Sequence, residues 1–261
     1  MKTVTESITP DMASSWLAKN NHNRNLSASL VAKYARSMLS GDWSLTHQGI
    51  AFYDDGSLAD GQHRLNAIVS SGVTVNMQVA YGVPRTSGAD IDVHRARDAS
   101  DAVKIGQLSD WVAKDAIAIT RIIAVNGDRL NIREIVRVCE SHRDDYQFVI
   151  GLFTTRKRFI TSSPIMGAMV MASVAGAPRP ALARFASCLM TGMIDGAHES
   201  SAIRLREYCL SAGGVAQGGK VLRGEMCLRA QRAIKAFVDG QSISKLMLPS
   251  APIYPLLVVN K

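Results

Sequence analysis

Between residues 28 and 40 the apolar positions Leu30, Val31, Tyr34 and Met38 recur on one helical face, with Ser27 where an N-cap belongs and Gly41 where a helix stops. A helix over 28–40 follows. GIAFYD (49–54), the turn pair Asp55-Gly56 and Ser57-Leu58-Ala59 predict two short strands joined as a hairpin. The chain then turns at Asp60-Gly61 into a second helix with Leu65, Ile68 and Val69 facing inward and an end near Gly72. VTVNMQVAYGV (73–83), rich in alternating valine and closed by Pro84, is the most strand-like stretch of all. The order is α-β-β-α-β, a small mixed domain.

Near residue 105 the texture changes to helical periodicity almost throughout. Starts are marked by Asn131 with Glu134 three residues on, by Ser163 before Pro164, and by Pro180 after Arg179. Helices are predicted near 109–126, 131–142, 164–175, 180–191, 200–211 and 223–239, with SAGGVAQGGK (211–220) as a mobile surface loop. No repeat of fixed length is present, which disfavours a solenoid. The expected class is α+β: a mixed domain over 1–104 followed by an all-helical domain over 105–261.

Composition agrees with this division. A hydrophobic fraction of 47% over 261 residues is ample for buried cores, and aromatics at 6% beside 11 methionines favour packed helices over aromatic-rich strands. No apolar run approaches the roughly 20 residues a bilayer requires, and MKTVTESITP lacks a signal-peptide core, so a cytoplasmic protein without membrane attachment is expected. Cys139, Cys188, Cys209 and Cys227 are widely spaced and read as buried thiols; Cys139 and His142 lack the further ligands a metal site needs. The net charge of +8 suits a polyanionic partner without requiring one.

The segment GSLADGQHRLNAIVSSG (56–72) carries the clearest chemistry. A strand enters a glycine turn and then a helix whose first turn holds Gln62, His63 and Arg64. Helix N-terminal amides and the positive dipole end attract phosphate, and Gly61 permits close approach of a ligand to the backbone. Arg64 can add a bidentate contact and His63 a donor or proton carrier. Asp60 is the best-placed metal contact or general base for hydrolytic or phosphoryl-transfer chemistry. The plainer alternative is that Asp60 caps the helix, Gly61 makes the turn, and His63 and Arg64 are solvated.

This segment, with RNLSASLVAKYARSMLSGDW and THQGIAFYDDGSLADGQHRLNAIVSSGVTVNMQV around it, resembles the ParB/sulfiredoxin superfamily, and more narrowly the ParB N-terminal-like proteins of phages and mobile elements. The resemblance covers about residues 22–100 and is carried by DGQHRL after its hydrophobic strand. It implies a nucleotide- or phosphate-binding pocket in which Gly61, Gln62, His63 and Arg64 contact phosphates, with Asp60, His63 and Arg64 as the catalytic set of any enzyme. For an enzyme of this kind the expected cofactor is a nucleoside triphosphate with Mg2+; for a non-catalytic protein none is specified. Sulfiredoxins carry a cysteine before the His-Arg pair; Gln62 stands there, which argues against sulfinic acid reduction. Partition ParB proteins follow with a second motif containing Glu-Asn and Arg, and no such string follows residue 84, which argues against a CTP-gated clamp.

Around the same pocket, Asp92, Arg95 and Arg97 in GADIDVHRARDASDAV resemble a second wall, and His47 and Gln48 in LTHQGIAF precede the first predicted strand. In the helical part, Arg156-Lys157-Arg158 and the stripe Arg229, Arg232 and Lys235, opposite Met226, Ala230, Ile234 and Phe237, are candidates for sequence-independent nucleic-acid contacts. Any solvated amphipathic helix would show the same stripe. Two functions from different classes remain open: a nucleotide-dependent hydrolase, phosphotransferase or nuclease, and a non-catalytic DNA-binding or regulatory protein. An inhibitor of a host factor is a third, and a homodimer is compatible with each.

Overall fold

The computed structural model describes residues 1–20, 25–86, 98–211 and 219–259, and the chain divides into two compact units, Met1–Arg97 and Asp98–Lys261. The fold is mixed α+β. The change of texture at residue 105 coincides with the end of a helix that belongs to the second unit.

The first unit runs β1 (Lys2–Ile8), α1 (Pro10–Leu17), α2 (Ala28–Leu39), β2 (Ile50–Tyr53), β3 (Leu58–Asp60), α3 (Gln62–Ser71) and β4 (Val75–Val83). The predicted α-β-β-α-β order therefore lacked the first two elements. In β1 the inward positions are Val4, Glu6 and Ile8, and Glu6 accepts a hydrogen bond from the Tyr81 hydroxyl at 2.8 Å. A charge at an inward position hides the period of two. The start of α1 carries local signals, with Thr9 accepting from the Met12 amide at 3.2 Å and Pro10 in the first turn. The start of α2 is the one expected, with Ser27 as N-cap.

The sheet order is β1-β4-β2-β3, with β4 antiparallel to β1 and parallel to β2, and β2 antiparallel to β3. The registers Ile8↔Val75, Val4↔Val79 and Ile50↔Val79 align one apolar face. Ile8, Ile50, Phe52, Val75, Met77 and Val79 are buried there with Leu65 and Ile68 of α3, which packs against both α1 and α2. Phe52 is stacked on Tyr81 at 5.4 Å and met edge-on by Trp16 at 5.2 Å. Val69, expected on the inward face of α3, is 43% exposed; Ala67 takes the buried place, a residue too small to register in a search for large apolar side chains.

The second unit contains α4 (Ala99–Ile105), α5 (Lys114–Ile123), α6 (Ile132–Ser141), α7 (Arg143–Gly151), α8 (Ser163–Val174), α9 (Arg179–Thr191), α10 (Ser200–Ser211) and α11 (Lys220–Val238). At the centre lies α8, buried continuously from Pro164 to Ser173 because it is apolar on every side. It packs against α5, α7, α9 and α11. Its crossing with α5 is close: a Cβ on Gly167 would lie 2.7 Å from Ile123 Cγ2. Asn131 and Glu134 form the expected capping box of α6, at 2.9 and 2.8 Å.

Two expectations are corrected here, and a third lies mostly outside the described residues. The helix predicted over 109–126 is α5 alone, and α4 and α7 were not predicted. The N-cap of α8 is Ser162, with Ser163 as its first helical residue. Most of the glycine-rich stretch 211–220 lies outside the described residues. Among the described residues, no helix is long and apolar enough to cross a membrane.

Backbone approach is tightest at Gly49, where an added Cβ would lie 1.7 Å from the Gln78 carbonyl oxygen of β4. Gly49→Ala is expected to cost about 3 kcal/mol or more, since backbone must move. Gly151→Ala, where nothing lies within 4 Å, should be neutral or slightly stabilising. Urea unfolding of the two variants measures the difference.

Candidate functional site

The Asp60–Arg64 segment forms the strand-turn-helix its sequence suggests. Gly61 has φ 106 and ψ 7, a left-handed conformation, and a Cβ there would stand 2.5 Å from Ile50 Cδ1 and 3.2 Å from Ile50 Cα. Only glycine meets both conditions. Asp60 Oδ1 accepts from the Gly61 amide at 2.6 Å. Arg64 Nη1 donates to Asp60 Oδ2 at 3.3 Å and to the Gly49 carbonyl at 2.8 Å. One guanidinium thus ties the end of β3 to the entry of β2. The first intrahelical bond of α3 runs from the Leu65 amide to the Gly61 carbonyl at 3.0 Å, which sets the positive end of the helix dipole at this turn.

The other two side chains of the turn face the interior. Gln62 and His63 are 6% and 7% exposed. Gln62 Oε1 accepts from Asn20 Nδ2 at 3.1 Å, and its carbonyl accepts from Asn66 Nδ2 at 2.8 Å. His63 Nε2 accepts from the Ser27 backbone amide at 3.0 Å, an arrangement in which that nitrogen carries no proton. His63 therefore fixes the start of α2, where the sequence suggested a donor or a proton carrier toward a ligand.

His47 and Gln48 are exposed and precede Gly49, so the chain carrying them passes beside Gly61 and Arg64. Gly61 and Gly49 approach to 3.3 Å from added Cβ to carbonyl oxygen. Asp55 caps its own hairpin turn, accepting from the Ser57 amide at 2.8 Å, and ion-pairs with Arg85 at 2.7 Å; the Ser57 bonds and this cation hold its carboxyl below the usual carboxylate range. Asp92, Arg95 and Arg97, with Asp90 and His94, lie outside the described residues. Among the described residues no group of three or more His, Cys, Asp or Glu is arranged to hold a metal ion.

In the second unit, the predicted basic stripe of α11 is largely engaged by neighbours. Arg229 pairs with Glu225 at 3.3 Å and lies over the Tyr208 ring at 4.8 Å, while Lys235 pairs with Asp239 at 2.7 Å. Arg232 is half-buried, and its Nε is shielded and unbonded. Arg156, Lys157 and Arg158 lie in the connection before α8, beside Arg223 of α11, and line a common cavity. The four cysteines are buried and free. Burial pushes the thiols of Cys139 and Cys227 up to about 11 and that of Cys209 up to about 12, the opposite of what nucleophilic catalysis requires.

Sequence reasoning missed one ionic cluster. Glu199, 4% exposed, accepts a bidentate pair from Arg184 Nε and Nη2 at 2.7 and 2.8 Å and the Asp195 amide at 2.7 Å. Burial, with the Glu199 charge beside it, raises the Cys188 thiol, so the cluster is a strut that closes the α9–α10 connection rather than a reactive cysteine. No sequence signal marks it, since the partners are 15 residues apart. Comparison with protein-family models, curated proteins and solved structures finds no match to the chain.

The Arg184 hydrogen bonds hold the Glu199 carboxyl down from its ordinary 4.5 to about 2. Its contribution to stability is thus present above pH 4.5 and lost as pH falls from there toward 2. Glu199→Gln should lower the urea midpoint at neutral pH, and the gap to the parent protein should close across that interval.

Proposed function

We propose that the first unit is a phosphate-binding module of the ParB/sulfiredoxin kind, taking the phosphates of a nucleotide or nucleic acid at the Asp60–Arg64 turn. The observation that carries this reading is the left-handed Gly61 opening α3, with Arg64 held 14% exposed beside the helix end. A phosphate there meets a helix dipole end and a fixed guanidinium together. The fixed geometry of Arg64, bonded to Asp60 and Gly49, lowers the entropy lost when a ligand is clamped.

Binding fits the site better than turnover. Asp60 is committed to Gly61 and Arg64, and His63 Nε2 to Ser27, so neither oxygen nor imidazole is poised as a base. Both Asp60 oxygens are engaged, by the Gly61 amide and by Arg64, and no group of three or more His, Cys, Asp or Glu among the described residues is arranged to hold a metal, so a Mg2+ here would be carried by the nucleotide phosphates and water. We read the protein accordingly as a non-catalytic, nucleotide-responsive or DNA-associated protein, with nucleic acid as the partner that its charge of +8 suits.

A thermal-shift series on the full chain with the four ribonucleoside triphosphates, with and without Mg2+, and with short DNA tests this. A true ligand at about 100 times its Kd stabilises by about 2.7 kcal/mol. Arg64→Ala should lower the stability of the free protein by about 1–3 kcal/mol and abolish the ligand-induced shift, whereas Arg64→Lys should keep part of both. An unchanged ligand shift in Arg64→Ala would remove the proposal.

A further inference from the structure

The two edges of the sheet in the first unit are finished differently. At one edge β3 is three residues long, and its Leu58 amide donates to the Lys19 carbonyl at 3.0 Å, so the chain that follows α1 covers it. At the other edge β1 runs for seven residues in an unbroken ladder with β4, from Lys2↔Tyr81 to Ile8↔Val75. By contrast, β2 meets both of its neighbours through register shifts. Among the described residues no backbone hydrogen bond reaches the outer side of β1. Open edges are ordinarily blunted by a short strand, a proline, a bulge or a cover, and β1 has none of these.

Cross-strand partners share a face, so Lys2, Val4, Glu6 and Ile8 stand on the side of Tyr81, Val79, Met77 and Val75, while Thr3, Thr5 and Ser7 are exposed on the other. Glu6 is half-buried. Its Oε1 takes the Tyr81 hydroxyl at 2.8 Å, and its Oε2 has no partner among the described residues. Lys2 is exposed and makes no ion pair among the described residues. The acid and the base lie on one face of one strand, yet four residues of strand separate them by about 13 Å, too far for them to meet within a chain.

We propose that the chain forms a symmetric dimer in which β1 pairs antiparallel with β1 of a second copy, centred on Val4, so that two four-stranded sheets join into one. An edge that meets its own copy about a two-fold axis runs antiparallel. Centring on Val4 sets Val4 opposite Val4, Thr3 opposite Thr5, and Lys2 opposite Glu6 at both ends. The other registers fail on charge or on face. Centring on Thr5 leaves Glu6 against Val4 and Lys2 against Ile8, and centring on Thr3 leaves Lys2 against Val4 and Glu6 with nothing. A slip of one residue turns every side chain to the wrong face.

Glu6 decides the occupant. A strand without a cation opposite it leaves a half-buried carboxylate against apolar side chains, which penalises foreign strands, whereas a second copy supplies Lys2 at that position. Thr3, Val4 and Thr5 are β-branched and suit a pleated ladder, and threonine pairs and opposite charges are favourable cross-strand neighbours. The net charge of +8 on each copy repels at long range, but at physiological salt the screening length is about 8 Å and the strand contacts decide. Five residues from each copy make a small interface, so the dimer is weak and forms as concentration rises.

Sedimentation of the full chain at physiological salt, from micromolar to millimolar concentration, tests the pairing and should show a monomer–dimer equilibrium. Lys2→Glu and Glu6→Lys each set like charges opposite one another at both ends and should weaken association about tenfold or more. An equimolar mixture of the two variants sets opposite charges at both ends again, and should dimerise where neither variant does alone. Loss of the Tyr81 bond in Glu6→Lys would not be repaired by mixing, so the mixture separates pairing from a purely structural role of Glu6. In the unaltered chain, raising the concentration should slow amide hydrogen exchange in β1 and leave β3 unchanged, a measurement that needs no variant. The proposal is overturned by a monomer at millimolar concentration, by a dimer that Lys2→Glu leaves intact, by failure of the two variants to associate on mixing when circular dichroism shows both folded, or by exchange in β1 that does not respond to concentration.

Discussion

The first unit depends on three backbones passing where only glycine fits. At Gly49 the chain runs against the Gln78 carbonyl of β4, and at Gly61 the turn out of β3 runs against Ile50 at the start of β2. These contacts set how far β2 can approach its parallel neighbour and where α3 begins. Arg64 then bridges them, bonding the Gly49 carbonyl and the Asp60 carboxylate. Shape comes from the missing side chains and rigidity from the one cation, so the turn is fixed before any ligand arrives.

In the second unit the corresponding constraint is burial of α8. A helix apolar on all sides can be stable only when enclosed, and α5, α7, α9 and α11 supply the enclosure. Enclosure places the N-terminus of α8 at the edge of the core, beside the connection that carries Arg156 to Arg158. A buried polar clamp completes the unit: Gln231 Oε1 accepts the amides of Ile253 and Tyr254 at 2.8 and 3.1 Å, fastening the C-terminal segment onto α11. The Thr120 hydroxyl similarly joins Tyr146 at 2.7 Å and Cys139 at 3.2 Å in the fully buried space between α5, α6 and α7.

What could be read from sequence was local. Ser27 before α2, Asn131 with Glu134 before α6, the Asp55-Gly56 hairpin and the turn at Gly61 are written in a few consecutive residues, because caps and turns are satisfied by near neighbours. Strand β1 was illegible because its inward Glu6 is satisfied by Tyr81, 75 residues away. The role of His63 was misread for the same reason, since its partner Ser27 lies 36 residues back. Helix α7 follows α6 with only His142 between them, a break that periodicity does not register. The small Ala67 and the large Val69 exchanged places for want of any signal of size complementarity in one strand of sequence.

How the polar groups at the Asp60–Arg64 turn are satisfied governs what the turn can do. At the Asp60–Arg64 turn the carboxylate, imidazole and guanidinium all have protein partners, so a ligand must share or displace existing bonds and the gain on binding is reduced by what is lost. On this argument the turn is suited to a ligand that also alters the contacts between α2, α3 and β2, and hence to a switch.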